Sequence, residues 1–117
     1  RRALPAIALT ANTSSLTAIG NDYGFERVFS RQVEALASKG DVVIGISTSG
    51  NSQNVLEGIK AAKARGAFTA ALVGGKQCKI DSAADIVLKA PSDSTPRIQE
   101  MHILIIHTIC EMVEGEF

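Results

Sequence analysis

Ser47-Thr48-Ser49-Gly50-Asn51-Ser52 is the stretch of this chain best suited to chemistry, with hydroxyls at 47, 48, 49 and 52 around a glycine and a carboxamide. It follows the apolar, β-branched run Asp41-Val42-Val43-Ile44-Gly45-Ile46, which reads as a buried parallel strand. It precedes residues 53–65, which take up helical periodicity. Ser52 is placed to cap that helix by accepting a bond from a first-turn amide. The hydroxyls therefore fall where free N–H groups and the positive end of a helix dipole gather, which is where an anion binds most readily. Hydroxyls in place of lysine or arginine point to a small phosphomonoester held by neutral hydrogen bonds. The same residue types also make ordinary turns and caps, and that is the plainer use of the segment.

The last helical stretch carries the other polar groups that need a reason. Ile103, Leu104, Ile106, Ile109, Met112 and Val113 make it apolar over most of its circumference, yet His102 and His107 lie within that surface. A histidine on an apolar face is more often a hydrogen-bonded core or interface residue than a catalyst. Glu100 is adequately explained as a carboxylate near a helix amino terminus. Gln99 and His107 are eight residues apart, about 12 Å along one helix axis at about 1.5 Å per residue. They cannot easily ligate one metal ion from the same helix. If both serve one site, two subunits supply them, so a homo-oligomer with sites at subunit interfaces is expected.

The elements that must position these groups alternate along the chain. Strands are expected at 4–10, 41–47, 67–73 and 85–89. Helices are expected at 25–37, 52–65 and 97–114, with a short helical turn at 14–19 and a loop at 20–24. Phe25, Val28, Phe29, Val33, Leu36 and Ala37 share one helical stripe, and Pro96 suits a helix first turn. Strands alternating with helices predict an α/β fold: three layers, α/β/α, with parallel pairing and helices on both sheet faces. Ligands of such sheets sit beyond the carboxyl ends of the strands. That edge collects Asn12 after the first expected strand, the hydroxyl segment, and Gly74-Gly75-Lys76-Gln77, which reads as a solvated turn.

Several function classes lose support. Twelve basic and twelve acidic residues cancel, so no bulk field favours nucleic acid or an anionic membrane. Hydrophobic residues make up 45% of the 117, but no apolar run approaches the roughly 20 residues that span a bilayer. No GxGxxG occurs, leaving a dinucleotide site without support. Cys78 and Cys110 have no CxxC spacing and read as unpaired structural thiols of a cytoplasmic protein. No internal boundary is visible, and residues 1–117 read as one domain. The chain opens on Arg1-Arg2 and enters an apolar run almost at once, which reads as a segment without its natural amino terminus.

Three motifs carry a resemblance. Ser47-Thr48-Ser49-Gly50-Asn51-Ser52 is similar to the sugar-phosphate-binding loop of sugar isomerase (SIS) domains. Gly20-Asn21-Asp22-Tyr23-Gly24-Phe25, and Arg97-Ile98-Gln99-Glu100-Met101-His102 followed by His107, resemble the phosphoheptose isomerases of that superfamily. The resemblance covers nearly the whole chain, in the family's order. It implies a flavodoxin-like SIS domain lacking the family's amino-terminal helix and first strand-loop, a segment whose absence would leave a sheet edge and helix faces uncovered. It also implies conversion of sedoheptulose 7-phosphate to D-glycero-D-manno-heptose 7-phosphate through an enediol, the first step toward bacterial heptose precursors of lipopolysaccharide or capsule.

The residue roles come from the same resemblance. His107 falls on the catalytic histidine, and Gln99 on an active-site glutamine. Ser47, Thr48, Ser49 and Ser52 would bind the phosphate, with Asp22 and Asn12 at the sugar hydroxyls. His102 is left to structure. Some relatives bind zinc, and Gln99 and His107 match two of its ligands. A homotetramer is implied. The family's catalytic glutamate lies in an amino-terminal segment, and nothing in this sequence matches it. Two other functions stay open: a SIS scaffold that binds the replication initiator, and a sugar-phosphate sensor. The scaffold carries asparagine at the second histidine and arginine at the Ser49 position, so His107 and Ser49 favour the enzyme. No helix-turn-helix or basic patch supports the sensor.

Overall fold

The structure, a computed structural model, describes residues 2–117. In chain order it comprises α1 (Thr13–Tyr23), a 3₁₀ turn (Phe25–Arg27), α2 (Ser30–Leu36), β1 (Val42–Ser47), α3 (Gln53–Ala64), β2 (Phe68–Gly74), a second 3₁₀ turn (Lys79–Ser82), β3 (Ile86–Ala90) and α4 (Thr95–Glu116). The sheet runs β1-β2-β3. Both pairs are parallel, with Val42 opposite Phe68, Ser47 opposite Val73, and Ala70 opposite Ile86. This is the expected α/β fold.

Strand alternation sorts the two faces. Ala71 and Val73 of β2 pack with Leu56 and Ile59 of α3 and with Ile80 of the second 3₁₀ turn. Behind them Val33 and Ala37 join Ala62 and Ala67, tying the α2 region to α3. On the other face α4 meets the sheet at the carboxyl edge of β2 and β3, where Ile98 lies against Gly74. Cover on this face is incomplete: Val42, Ile44, Ile46, Phe68, Ile86 and Leu88 are 37–61% exposed. The layers are helix, sheet and helix, with α4 alone as the third. The expectation of helices on both faces holds only at that edge.

Three elements differ from the sequence reading. Residues 4–10 form no strand; Leu4 and Ile7 are exposed. A strand exists only through a neighbour's ladder, and none of the described strands flanks this segment. Second, residues 13–23 are one helix, so Gly20, Asn21 and Asp22 lie inside it. Asn12 caps it through Oδ1, which accepts from the Ser15 amide (3.0 Å). The stop is Gly24, at φ 91°, a left-handed value that glycine tolerates. Third, residues 25–37 split into the first 3₁₀ turn and α2. Val28, Val33 and Ala37 of the expected stripe are buried, whereas Phe25 and Leu36 are exposed.

One polar pair registers β3 on β2. Fully buried Thr69 donates its hydroxyl to Asp85 Oδ2 (2.7 Å), and the Thr69 amide donates to the same oxygen (2.9 Å). The Asp85 amide returns a bond to Thr69 Oγ1 (3.0 Å), and Lys63 Nζ lies 3.0 Å from Asp85 Oδ1. The Thr69 hydroxyl, the Thr69 amide and then Lys63 hold the Asp85 carboxyl down at about 2. A carboxyl lowered on folding stabilises the fold at pH above its unfolded value, about 4, and the contribution disappears as pH falls through the folded value. Asp85→Asn should therefore remove stability at pH 6 and flatten the acid unfolding curve between about pH 4 and pH 2. Circular dichroism against pH measures this; parallel curves for the two proteins would exclude Asp85 as the source.

Candidate functional site

β1 ends at Ser47 and α3 begins at Gln53, so residues 47–52 form the junction at the carboxyl edge of the sheet. Ser47 is buried, Thr48 and Ser52 are half-buried and Ser49 is exposed. Ser47 Oγ lies 3.0 Å from Ser52 Oγ and 3.5 Å from Ser49 Oγ, bringing three of the predicted phosphate ligands into one cluster. Ser52 stands at the N-cap position, but its hydroxyl turns to Ser47 rather than to a first-turn amide. The expected cap bond from Ser52 is therefore absent, and the Val55 amide of the first turn donates instead to Asn54 Oδ1 (2.9 Å). The amino end of α3 keeps donors and positive dipole for an anion.

Two glycine-dependent features shape the loop. Gly50 has φ 64°, and its amide donates to Ser47 Oγ (3.1 Å). A Cβ on Gly50 would overlap the Cys78 Sγ and stand 2.6 Å from the Cys78 Cβ. The Asn51 amide donates to Ser49 Oγ (3.2 Å), and its carboxamide nitrogen donates to the Ser49 carbonyl (3.1 Å). The second 3₁₀ turn supports the loop from below. The Ile80 amide donates to the Gly50 carbonyl (3.2 Å), and the Lys79 amide to Asn51 Oδ1 (3.0 Å). Thr48 is tied through its carbonyl to the Gly74 amide (3.1 Å). The sequence alone assigns residues 78–82 no element. The available signal was Asp81 three residues after Cys78, a capping-box spacing with an unusual first residue.

None of the remaining predicted residues hydrogen-bonds to this cluster. Asn12 spends its carboxamide oxygen on the α1 cap and lines a groove with Ile7, Ile19 and Leu36, to which no residue of 47–52 contributes. Asp22 is exposed near the end of α1 and accepts from Asn21 Nδ2 (2.9 Å). On α4, His102 is 3% exposed with Nε2 3.1 Å from the Val73 carbonyl, which makes that nitrogen the N–H donor. This is the structural role expected for it. His107, five residues on, projects about 140° around the axis from His102, at about 100° per residue. Since His102 faces the sheet, His107 faces away, and it is exposed.

Gln99, Ile103 and His107 recur every four residues and are all exposed, forming one ridge that runs from the flank of α4 at Gln99 to its outer side at His107. Among the described residues no three His, Cys, Asp or Glu side chains converge as a metal site. Gln99 and His107 sit two helical turns apart and so do not assemble a zinc site within one chain. Cys78 and Cys110 are free thiols. No helix among the described residues is long and apolar enough to cross a membrane.

The loop, its parallel sheet and the helix that follows have clear relatives. The SIS domain family matches residues 1–74. The chain belongs to the SIS domain family. It is 61% identical over 116 residues to the phosphoheptose isomerase of Aliarcobacter butzleri, covering 99% of this chain and 61% of that protein. Against the phosphoheptose isomerase of Geobacter sp. strain M21 the identity is 62%, covering 99% and 60%. A solved phosphoheptose isomerase from Francisella tularensis superposes with TM-score 0.95 at 40% identity, over 98% of this chain and 62% of that one. One from Neisseria gonorrhoeae gives 0.89 at 54% identity, over 92% and 61%. The chain thus spans about three fifths of the length of the relatives it matches.

Proposed function

We propose that this SIS domain serves an aldose–ketose isomerase that converts sedoheptulose 7-phosphate to D-glycero-D-manno-heptose 7-phosphate. The observation that carries the reading is the convergence of the Ser47, Ser49 and Ser52 hydroxyls at the amino end of α3. It occurs in a chain about three fifths identical to phosphoheptose isomerases. The phosphate oxygens accept from these hydroxyls and from first-turn amides, and the helix dipole favours their charge. Thr48 borders the same cluster. The sugar then extends from the sheet edge, where Asp22 and Asn12 would meet its hydroxyls.

Isomerisation removes a proton beside the ketose carbonyl, passes through a cis-enediol and returns a proton to the neighbouring carbon. A neutral imidazole suits that transfer near pH 7, and His107 is the group for it. His107 faces away from the sheet of its own chain and Gln99 is exposed on the flank of the same helix, so they would reach a hydroxyl loop belonging to a second copy. The apolar neighbours Ile103 and Leu104, 55% and 67% exposed, suit such a contact. A homotetramer with shared sites, working in the cytoplasm, fits this arrangement.

The test is calorimetric titration of the intact protein with sedoheptulose 7-phosphate, alongside Ser49→Ala. The substitution should weaken binding by about 1 kcal/mol, in a range of roughly 0.5–1.5 for one neutral hydrogen bond. Crystals soaked with the sugar phosphate should place its phosphate against residues 47–52. A phosphate bound at residues 74–76 instead would overturn the assignment.

A further inference from the structure

The hydroxyl loop is held in place by a charged clamp outside the site. Two of its anchors, the Gly50 carbonyl and Asn51 Oδ1, are held by successive amides of the second 3₁₀ turn, those of Ile80 and Lys79. A turn of four residues does not hold its own shape. This one is fastened by Asp81, whose Oδ2 accepts from the Cys78 amide (3.0 Å) while the Asp81 amide is returned to the Cys78 side chain. The same Oδ2 accepts from Lys89 Nζ (2.8 Å), and that ammonium also donates to the Lys76 carbonyl (3.2 Å). Lys89 lies on β3, the rigid edge of the sheet. One ammonium therefore joins the strand, the loop after β2 and the turn beneath the serines.

We propose that Asp81 and Lys89 form a positioning pair, setting the geometry of the Gly50–Asn51 backbone and hence the phosphate affinity of the serine cluster. The inference rests on the reading of residues 47–52 as an anion site. Asp81 Oδ1 is buried and accepts no hydrogen bond from the described residues. The carboxylate is thus committed to one oxygen and depends on Lys89 for its charge balance. In keeping with this, the Lys89 hydrogen bond, then the Cys78 amide, holds the Asp81 carboxyl below its usual range. Neither side chain hydrogen-bonds to residues 47–52. The pair acts through the turn, by fixing the Gly50 carbonyl and the Asn51 carboxamide, which would otherwise be reordered when an anion arrives.

The experiment titrates the intact protein with inorganic phosphate, following the Gly50 and Asn51 amide resonances. Wild type, Lys89→Met and Lys89→Arg are compared, with hydrogen exchange of the same amides as a second readout. Lys89→Met should weaken phosphate binding about three- to tenfold, the effect of losing a partly exposed charge-assisted bond. It should also speed exchange at Gly50 and Asn51, while the thermal midpoint changes little. Lys89→Arg, which keeps the charge and donors, should restore affinity to within about twofold. Wild-type affinity and exchange in Lys89→Met would overturn the clamp. So would an equal loss in Lys89→Arg, because then packing rather than charge sets the loop. If phosphate leaves the wild-type resonances unmoved, the anion-site reading fails. The clamp is then judged by exchange alone: faster exchange in Lys89→Met upholds it, and unchanged exchange overturns it.

Discussion

Replacing His107 by glutamine in the intact protein is expected to cut solvent deuterium exchange at the substrate carbon beside the carbonyl by at least about 10²-fold. General acid–base groups typically supply about 10²–10⁴ in rate. Glutamine fills similar space and keeps a hydrogen-bonding end, but it cannot exchange a proton near neutral pH. Folding and sugar-phosphate binding should survive, because His107 is exposed on α4 and far around the helix from the packed face. His102→Gln is the contrast. Its ring is buried with Nε2 on the Val73 carbonyl, so that change should cost about 1–3 kcal/mol of stability and act on rate only through folding. Undiminished exchange in the His107 variant would remove it as the acid/base group and revive the non-catalytic scaffold.

The largest stability effect is expected at Gly50. Gly50→Ala asks a residue with a Cβ to adopt φ 64° and drives that carbon onto the Cys78 sulfur. Left-handed backbone costs about 1–2 kcal/mol for an L-residue, and overpacking a filled site typically adds about 1–3. Urea unfolding should show a loss of roughly 2–5 kcal/mol, with phosphate binding at the loop lost as well. Adding Cys78→Ala should recover only the sulfur's share of the packing loss, because the Cys78 Cβ that remains stands 2.6 Å from the new carbon. A Gly50→Ala protein with wild-type midpoint and affinity would mean that the loop readily adopts another shape, and the positioned-serine account would fall with it.

The two cases differ in how visible they were beforehand. The angle between His107 and His102 follows from helical spacing alone, whichever partner the helix meets, whereas the role of His107 was read only from the resemblance. Gly50 read as a turn glycine. Nothing local announces that Cys78, 28 residues later, fills the space beside it. The Asp81–Lys89 pair was invisible for the same reason: it joins a turn to a strand across a sheet edge.

Local chemistry by itself determined the β1–loop–α3 unit, the strands and helices after residue 40, and the cluster of hydroxyls at one strand end. Each follows from periodicity, caps and strand composition, which act over a few residues. Only the tertiary structure decided the rest. Residues 4–10 have strand composition but no ladder, because a strand is a property of a pair. Gly20-Asn21-Asp22 has turn composition but is helical, because the chain reverses at Gly24 and not before. Ser52 has cap composition, yet its hydroxyl goes to Ser47, since a hydroxyl takes the nearest well-aimed partner and the fold brought that one closer. Asn12 reads as a ligand residue, and the fold also commits its carboxamide oxygen to the Ser15 amide at the start of α1. What could bind was legible from residue type; which groups remain available to bind depends on contacts between segments far apart in the chain.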